Sequence, residues 1–138
     1  MSNGEERRQY KRYWRAQLNI RRFIIRDSHS FPVCKNISAG GVMIGAQDAF
    51  DKGTEINCIV GLTGWKDFAA KMGLKPEPVS DDLCVRMVVL WADVATGGGF
   101  NLGGQFLVDD PAWQKTLEAY LQSHEKKTVA GVARNIAA

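Results

Sequence analysis

The chain has only three cysteines, Cys34, Cys58 and Cys84, each more than twenty residues from the next, so neither a disulfide framework nor a zinc knuckle is written in it. Buried reduced thiols are the expectation. Histidine is scarcer still. His29 and His124 stand alone, with no carboxylate and second histidine at metal-ligand spacing, and both are expected on the surface. A GxSxG elbow is missing and no cysteine has a histidine near it in sequence, so a non-enzyme without metal or cofactor is expected. The glycines over 97–104 satisfy neither GxGxxG nor GxxxxGK[ST] and lie in a hairpin pattern rather than before a helix, which argues against a phosphate loop. No apolar run approaches bilayer length, and no apolar stretch of the signal-peptide kind follows the charged start MSNGEERRQYKR, so a cytoplasmic protein is expected.

What is present fits one soluble globular unit. A length of 138 residues with 45% hydrophobic and 24% charged residues predicts a single domain over 1–138. The net charge of +3 is modest, yet its distribution is uneven. Arg7, Arg8, Lys11, Arg12, Arg15, Arg21, Arg22 and Arg26 crowd one segment, opposed there mainly by Glu5, Glu6 and Asp27. Such a segment attracts an anion: a nucleotide, a nucleic acid or an acidic protein surface.

Alternation and turn letters predict the elements. AQLNIRRFIIRD and FPVCKNIS read as two strands around a DSHS turn, VMIGA as a third after Gly40 and Gly41, and TEINCIVGL as a fourth after a turn at Asp51, Lys52 and Gly53. The stretch 64–82 breaks the pattern with the helical letters WKDFAAKMGL and a Pro-rich acidic connection, and is read as an insertion. LCVRMVVLWADV and FNLGGQFLV follow as a hairpin, with Trp91 expected in the core, as barrel-strand aromatics usually are, rather than against a ligand. A helix over 110–127 then opens with Asp110 as cap and Pro111 at its first position, and Trp113, Leu117, Tyr120 and Leu121 recur at helical spacing. The expected fold is all-β with a C-terminal helix: a six-stranded antiparallel barrel over 16–109, which by closing removes its exposed edges. A mobile N-terminal arm over 1–15 precedes it, and a tail over 128–138 has little to anchor it.

Two short clusters carry the functional reading. RRQYKR over 7–12 places Arg8 and Arg12 four apart with Arg7 just before, an RxxxR pattern; NISAGG over 36–41 spaces Asn36, Ser38 and Gly41 as NxSxxG, with Gly40 inside it. Each alone has a bland reading. The first is a solvated basic arm, the second a turn in which Ser bonds nearby backbone. In this order, near the start of a strand-rich chain, the pair resembles the signature of PilZ domains, bacterial receptors for cyclic di-GMP. That resemblance, spanning about residues 5–122, implies a six-stranded barrel independently of the strand pattern.

By the same resemblance, Arg8 and Arg12 grip phosphate oxygens and guanine edges, Asn36 and Ser38 form the pocket floor, and Gly40 and Gly41 admit the ligand to the backbone. Arginine suits this ligand because a planar fork matches both phosphate and the guanine O6/N7 edge and also stacks on a base. Many relatives carry Asp where this chain has Asn36, and an amide has one accepting oxygen where a carboxylate has two. The resemblance also implies that Arg7 admits two nucleotide molecules per chain. The arm would order on binding and signal to a protein partner in motility, surface-polysaccharide or biofilm control, a domain with no module attached having to act through another protein. The rivals are a small basic barrel binding RNA or single-stranded DNA through the basic arm and exposed aromatics such as Tyr10, Tyr13 and Trp14, and a ligand-free PilZ domain serving protein interaction alone.

Overall fold

A computed structural model of the chain describes residues 10–14, 18, 20–26 and 32–125. The expected turn around Ser28, His29, the tail over 128–138, and Arg7 and Arg8 lie outside the described residues. Among the described residues seven strands form one sheet: β1 (Tyr13–Trp14), β2 (Ile20–Ile25), β3 (Val33–Ile37), β4 (Gly41–Ala46), β5 (Glu55–Leu62), β6 (Asp82–Val94) and β7 (Phe100–Phe106). Helix α1 (Trp65–Lys71) interrupts β5 and β6, and α2 (Pro111–His124) follows β7.

Every strand pair is antiparallel, in the order β1-β3-β4-β7-β6-β5-β2. Two features differ from the sequence expectation of six strands closed into a barrel. The count is seven because Tyr13 and Trp14, placed by sequence in a mobile arm, pair with Ile37 and Asn36 and extend the sheet. No ladder among the described residues joins the end strands β1 and β2, so the sheet is a curled half-barrel.

Alternation explains most of the core. Ile56, Cys58 and Val60 on β5, and Leu83, Val85 and Met87 on β6, are buried every second residue, as a sheet with one covered face requires. Cys34 and Cys58 are buried thiols, and burial pushes the Cys58 thiol up to about 12; Cys84, expected inside, is exposed on the outer face of β6. Tyr13 is 1% exposed, so the last part of the arm belongs to the core rather than to solvent.

Helix α2 starts as its letters predict, with the Asp110 carboxylate accepting the Ala112 N–H at 2.9 Å and Pro111 in the first turn. It ends at His124, where Glu125 is extended, and buries Leu117, Tyr120 and Leu121 while Trp113 meets Phe106 edge-on. The insertion packs on this helix through Trp65 and Phe68, both edge-on to Tyr120, whose hydroxyl donates to the Thr63 carbonyl. Asp81 closes the insertion at its base by accepting the N–H groups of Gly64 and Lys66, each at 3.0 Å. Those two donors hold its carboxyl below the usual range. His124, expected on the surface, is half-buried and stacked on Tyr120 at 4.0 Å between centroids.

Candidate functional site

The NISAGG segment is a tight turn between β3 and β4, and Ser38 holds it. Its N–H donates to the Gly41 carbonyl at 2.8 Å, and its hydroxyl oxygen accepts the N–H groups of Gly40 and Gly41 at 3.1 and 3.2 Å. The local bonding expected of a plain turn is therefore present. The glycines serve space rather than left-handed backbone, since neither has a φ in that region. A Cβ on Gly41 would stand 2.1 Å from the Gly104 carbonyl oxygen of β7, so this glycine is demanded by the sheet, whereas the sequence reading gave it to the ligand. A Cβ on Gly40 would lie 3.2 Å from the ring of Tyr10.

That contact brings the arm to the turn. Tyr10 lies against Gly40, and Trp14 on β1 is paired with Asn36 on β3, so the segment bearing Arg12 borders the NxSxxG turn. Arg12 is exposed, one residue before buried Tyr13. The segment is seated on α2 at the same time: the Tyr10 hydroxyl donates to the Gln114 side chain at 3.3 Å, and the Lys11 ammonium pairs with Glu125 at 3.3 Å. The Lys11 backbone N–H also serves the Glu118 carboxylate, whose pKa burial nonetheless holds above its ordinary range. Burial raises the Tyr13 phenol too, with Glu118 and Glu125 adding to it.

Two β-bulges shape the outer face of the sheet beside this turn. Cys34 and Ile37 are both buried although three residues apart, which strict alternation forbids; a register shift between Cys34 and Asn36 resolves it and turns Lys35 and Asn36 to the same outer face. A second shift, between Val89 and Trp91, does the same on β6. Val89 is fully buried, so simple alternation sends Trp91 inward, as expected from sequence; the extra residue Leu90 instead delivers Trp91 to the outside, 37% exposed. Its indole lies against Gly103, where a Cβ would fall 2.0 Å from Nε1.

The register then places Trp14, Asn36, Met43, Gly103 and Trp91 in one row across β1, β3, β4, β7 and β6. Asn36 is only 4% exposed, with its amide directed at the Met43 sulfur at 3.9 Å, whereas Trp14 is 57% exposed. The row is a shallow platform: an indole at each end, an amide and a thioether between, and the turn and arm along one side. Such a surface can stack planar rings and bond their edges. Of the residues singled out from sequence, Arg12, Asn36, Ser38, Gly40 and Gly41 meet here, and Arg7 and Arg8 lie outside the described residues. Farther along the basic segment, Arg21 and Arg22 on β2 pair instead with Asp82 at 3.4 and 2.6 Å. The sequence gives no sign of Met43 and disfavours an outward Trp91, because nothing in a strand's letters marks the bulge that sets its facing.

The comparisons with known proteins bear on this geometry. The family model for the PilZ domain matches residues 6–123. No curated protein matches the sequence. Among solved structures, the Bacillus subtilis inhibitor of motility MotI/DgrA superposes with a TM-score of 0.58 at 18% identity, over 89% of this chain and 55% of that one. A tetrameric PilZ-domain protein from Xanthomonas campestris, self-assembled through a helical bundle, gives 0.45 at 17% identity, over 79% of this chain and 49% of that one. The chain thus spans about half the length of the solved structures it matches.

Proposed function

The chain belongs to the PilZ domain family, and on that premise we propose that it is a cyclic di-GMP receptor that passes ligand binding to a protein partner through its N-terminal arm. The observation that carries the reading is that the described end of the arm reaches the turn: Tyr10 lies on Gly40 and Trp14 pairs with Asn36, so the backbone at Arg12 borders the Ser38 turn. A dinucleotide with two phosphates and two guanines needs cationic forks above and amide and hydroxyl groups below, and the arm and the turn supply them. Arg8 and Arg12 act as the forks, Asn36 bonds guanine N–H groups, and Ser38 adds its hydroxyl. Gly40 contributes by admitting Tyr10. Arg7, beside the pair, extends the site to a second nucleotide molecule. The protein works in the cytoplasm without catalysis or cofactor, and its output is motility, surface-polysaccharide or biofilm control.

The nucleic-acid reading loses part of what recommended it. Of the three aromatics it relied on, Tyr13 is in the core and Tyr10 is half-buried and bonded to Gln114, which leaves Trp14 as the exposed one.

Calorimetry with cyclic di-GMP on the wild type, Arg8→Ala and Arg12→Ala tests the proposal. Micromolar binding is worth about 8 kcal/mol and a charged hydrogen bond about 1.5 to 3, so each variant should bind roughly tenfold to a hundredfold more weakly. Both melting temperatures should stay close to wild type. Unchanged affinity in both variants rejects the assignment, and saturation at one nucleotide per chain rejects the role given to Arg7.

A further inference from the structure

Next to the platform, one pleat further along the sheet, lies a second row that none of the motif residues occupies: Lys35 on β3, Gly45 on β4, Asn101 on β7 and Asp93 on β6. Gly45 pairs with Asn101, and Asn101 with Asp93. Lys35 shares the outer face with Asn36 because of the β3 bulge, and Asp93 follows Trp91 outward because of the β6 bulge. Lys35 stretches over Gly45, where a Cβ would meet its Cε at 3.1 Å, and its ammonium bonds the Asn101 side-chain oxygen. With its oxygen engaged there, the Asn101 side chain keeps its amide nitrogen as a donor. Among the described residues no carboxylate pairs with Lys35, and Asp93 is exposed without an ion pair. The row therefore presents donors at one end and a carboxylate at the other, unneutralised and about 7 Å from the Trp91 row.

We propose that this row reads the Watson–Crick edge of a guanine stacked on Trp91. A base lying on that indole extends its edge over the distance that separates the two rows. Lys35 and the Asn101 amide donate to guanine O6, and the Asp93 carboxylate accepts from N1–H and the 2-amino group. Adenine fits the same groups badly, because its N1 is an acceptor that meets the carboxylate and its 6-amino group is a donor that meets the ammonium. The two bulges thus have one joint effect, bringing a stacking surface and an edge-reading pair to the same side of the sheet. This inference rests on the proposed cyclic di-GMP reading and adds to it the residues that choose guanine.

The test compares binding of cyclic di-GMP and cyclic di-AMP to the wild type, Asp93→Asn and Lys35→Met by calorimetry, with thermal melts to show that the variants are folded. The wild type should prefer cyclic di-GMP. Asp93→Asn should weaken cyclic di-GMP about tenfold or more while affecting cyclic di-AMP little, and Lys35→Met should act in the same direction, so the preference for guanine shrinks. If the wild type binds cyclic di-GMP and both folded variants keep its affinity and preference, this subsite is wrong while the receptor reading stands. If the wild type does not bind cyclic di-GMP at all, the receptor reading and the subsite fall together.

Discussion

At the level of single residues, the two adjacent glycines of the turn are not equivalent. Gly41 faces a backbone carbonyl that the β4–β7 ladder fixes in place, whereas Gly40 faces the flank of the Tyr10 ring, a side chain that needs to give only a few tenths of an ångström. Gly41→Ala should therefore cost about 1–3 kcal/mol or more, as overpacking against rigid neighbours does, and Gly40→Ala much less. Chemical denaturation of the two variants measures this, and equal stabilities would show that the turn relaxes where the sheet is taken to be rigid. Any loss of ligand binding in Gly41→Ala is then a consequence of a distorted β4 start. Ser38→Ala would remove the oxygen that accepts both glycine N–H groups, so it too acts on turn geometry before it acts on a ligand.

The elements show why parts of this site were legible in the sequence and parts were not. Strand existence followed from alternation on β5 and from Gly and Asp turn letters, and α2 followed from Asp110, Pro111 and its apolar spacing. NISAGG was readable because Ser and Gly at those offsets make a turn wherever they fall. Facing was not readable. A bulge adds one residue to a ladder and inverts everything beyond it, and neither CKN on β3 nor VLW on β6 contains a letter that requires one, so Trp91 was assigned to the wrong face. The two-residue β1 was likewise invisible, since Tyr13 and Trp14 sit among arginines and gain strand character only from their partners Ile37 and Asn36.

The contact between β1 and α2 has its own pH signature. One Glu118 carboxylate oxygen is buried without a hydrogen-bond partner among the described residues, and burial raises its pKa against the opposing pull of the Lys11 N–H and charge. Lys11, Tyr13 and Glu125 are the other titratable groups around it. A carboxyl with a raised native pKa contributes stability below the ordinary carboxylate range, and that contribution is lost as pH rises through the raised value. Glu118→Gln has no such proton to lose, so the stability of the variant relative to wild type should improve between ~pH 4 and ~pH 7. Thermal melts of both proteins across that interval test it. A difference that stays constant with pH would mean the Glu118 carboxyl titrates alike in the folded and unfolded chain.

At the scale of the whole molecule, the arm touches the turn and the helix at once, and this decides how far a ligand's influence can reach. If Arg12 clasps a dinucleotide against the Ser38 turn, residues 10–14 gain contacts in the bound state, and the free energy of that preference is all that can be transmitted. The same residues hold α2 through Tyr10 to Gln114, the Lys11 N–H to Glu118 and the Lys11 ammonium to Glu125, whereas the edge strand β2 is tied to Asp82. Binding should therefore slow amide exchange over 10–14 and change it over the second half of α2, with β5 and the start of β6 unaffected. Hydrogen exchange with and without cyclic di-GMP measures each region separately. Replacing Gln114 and Glu125 together with Ala should keep the change over 10–14 and reduce the change in α2, because the ligand still meets the arm while the arm has lost two of its holds on the helix. An α2 whose exchange is indifferent to ligand in the wild type would break the link from arm to helix and move the search for the partner's docking surface to the platform itself.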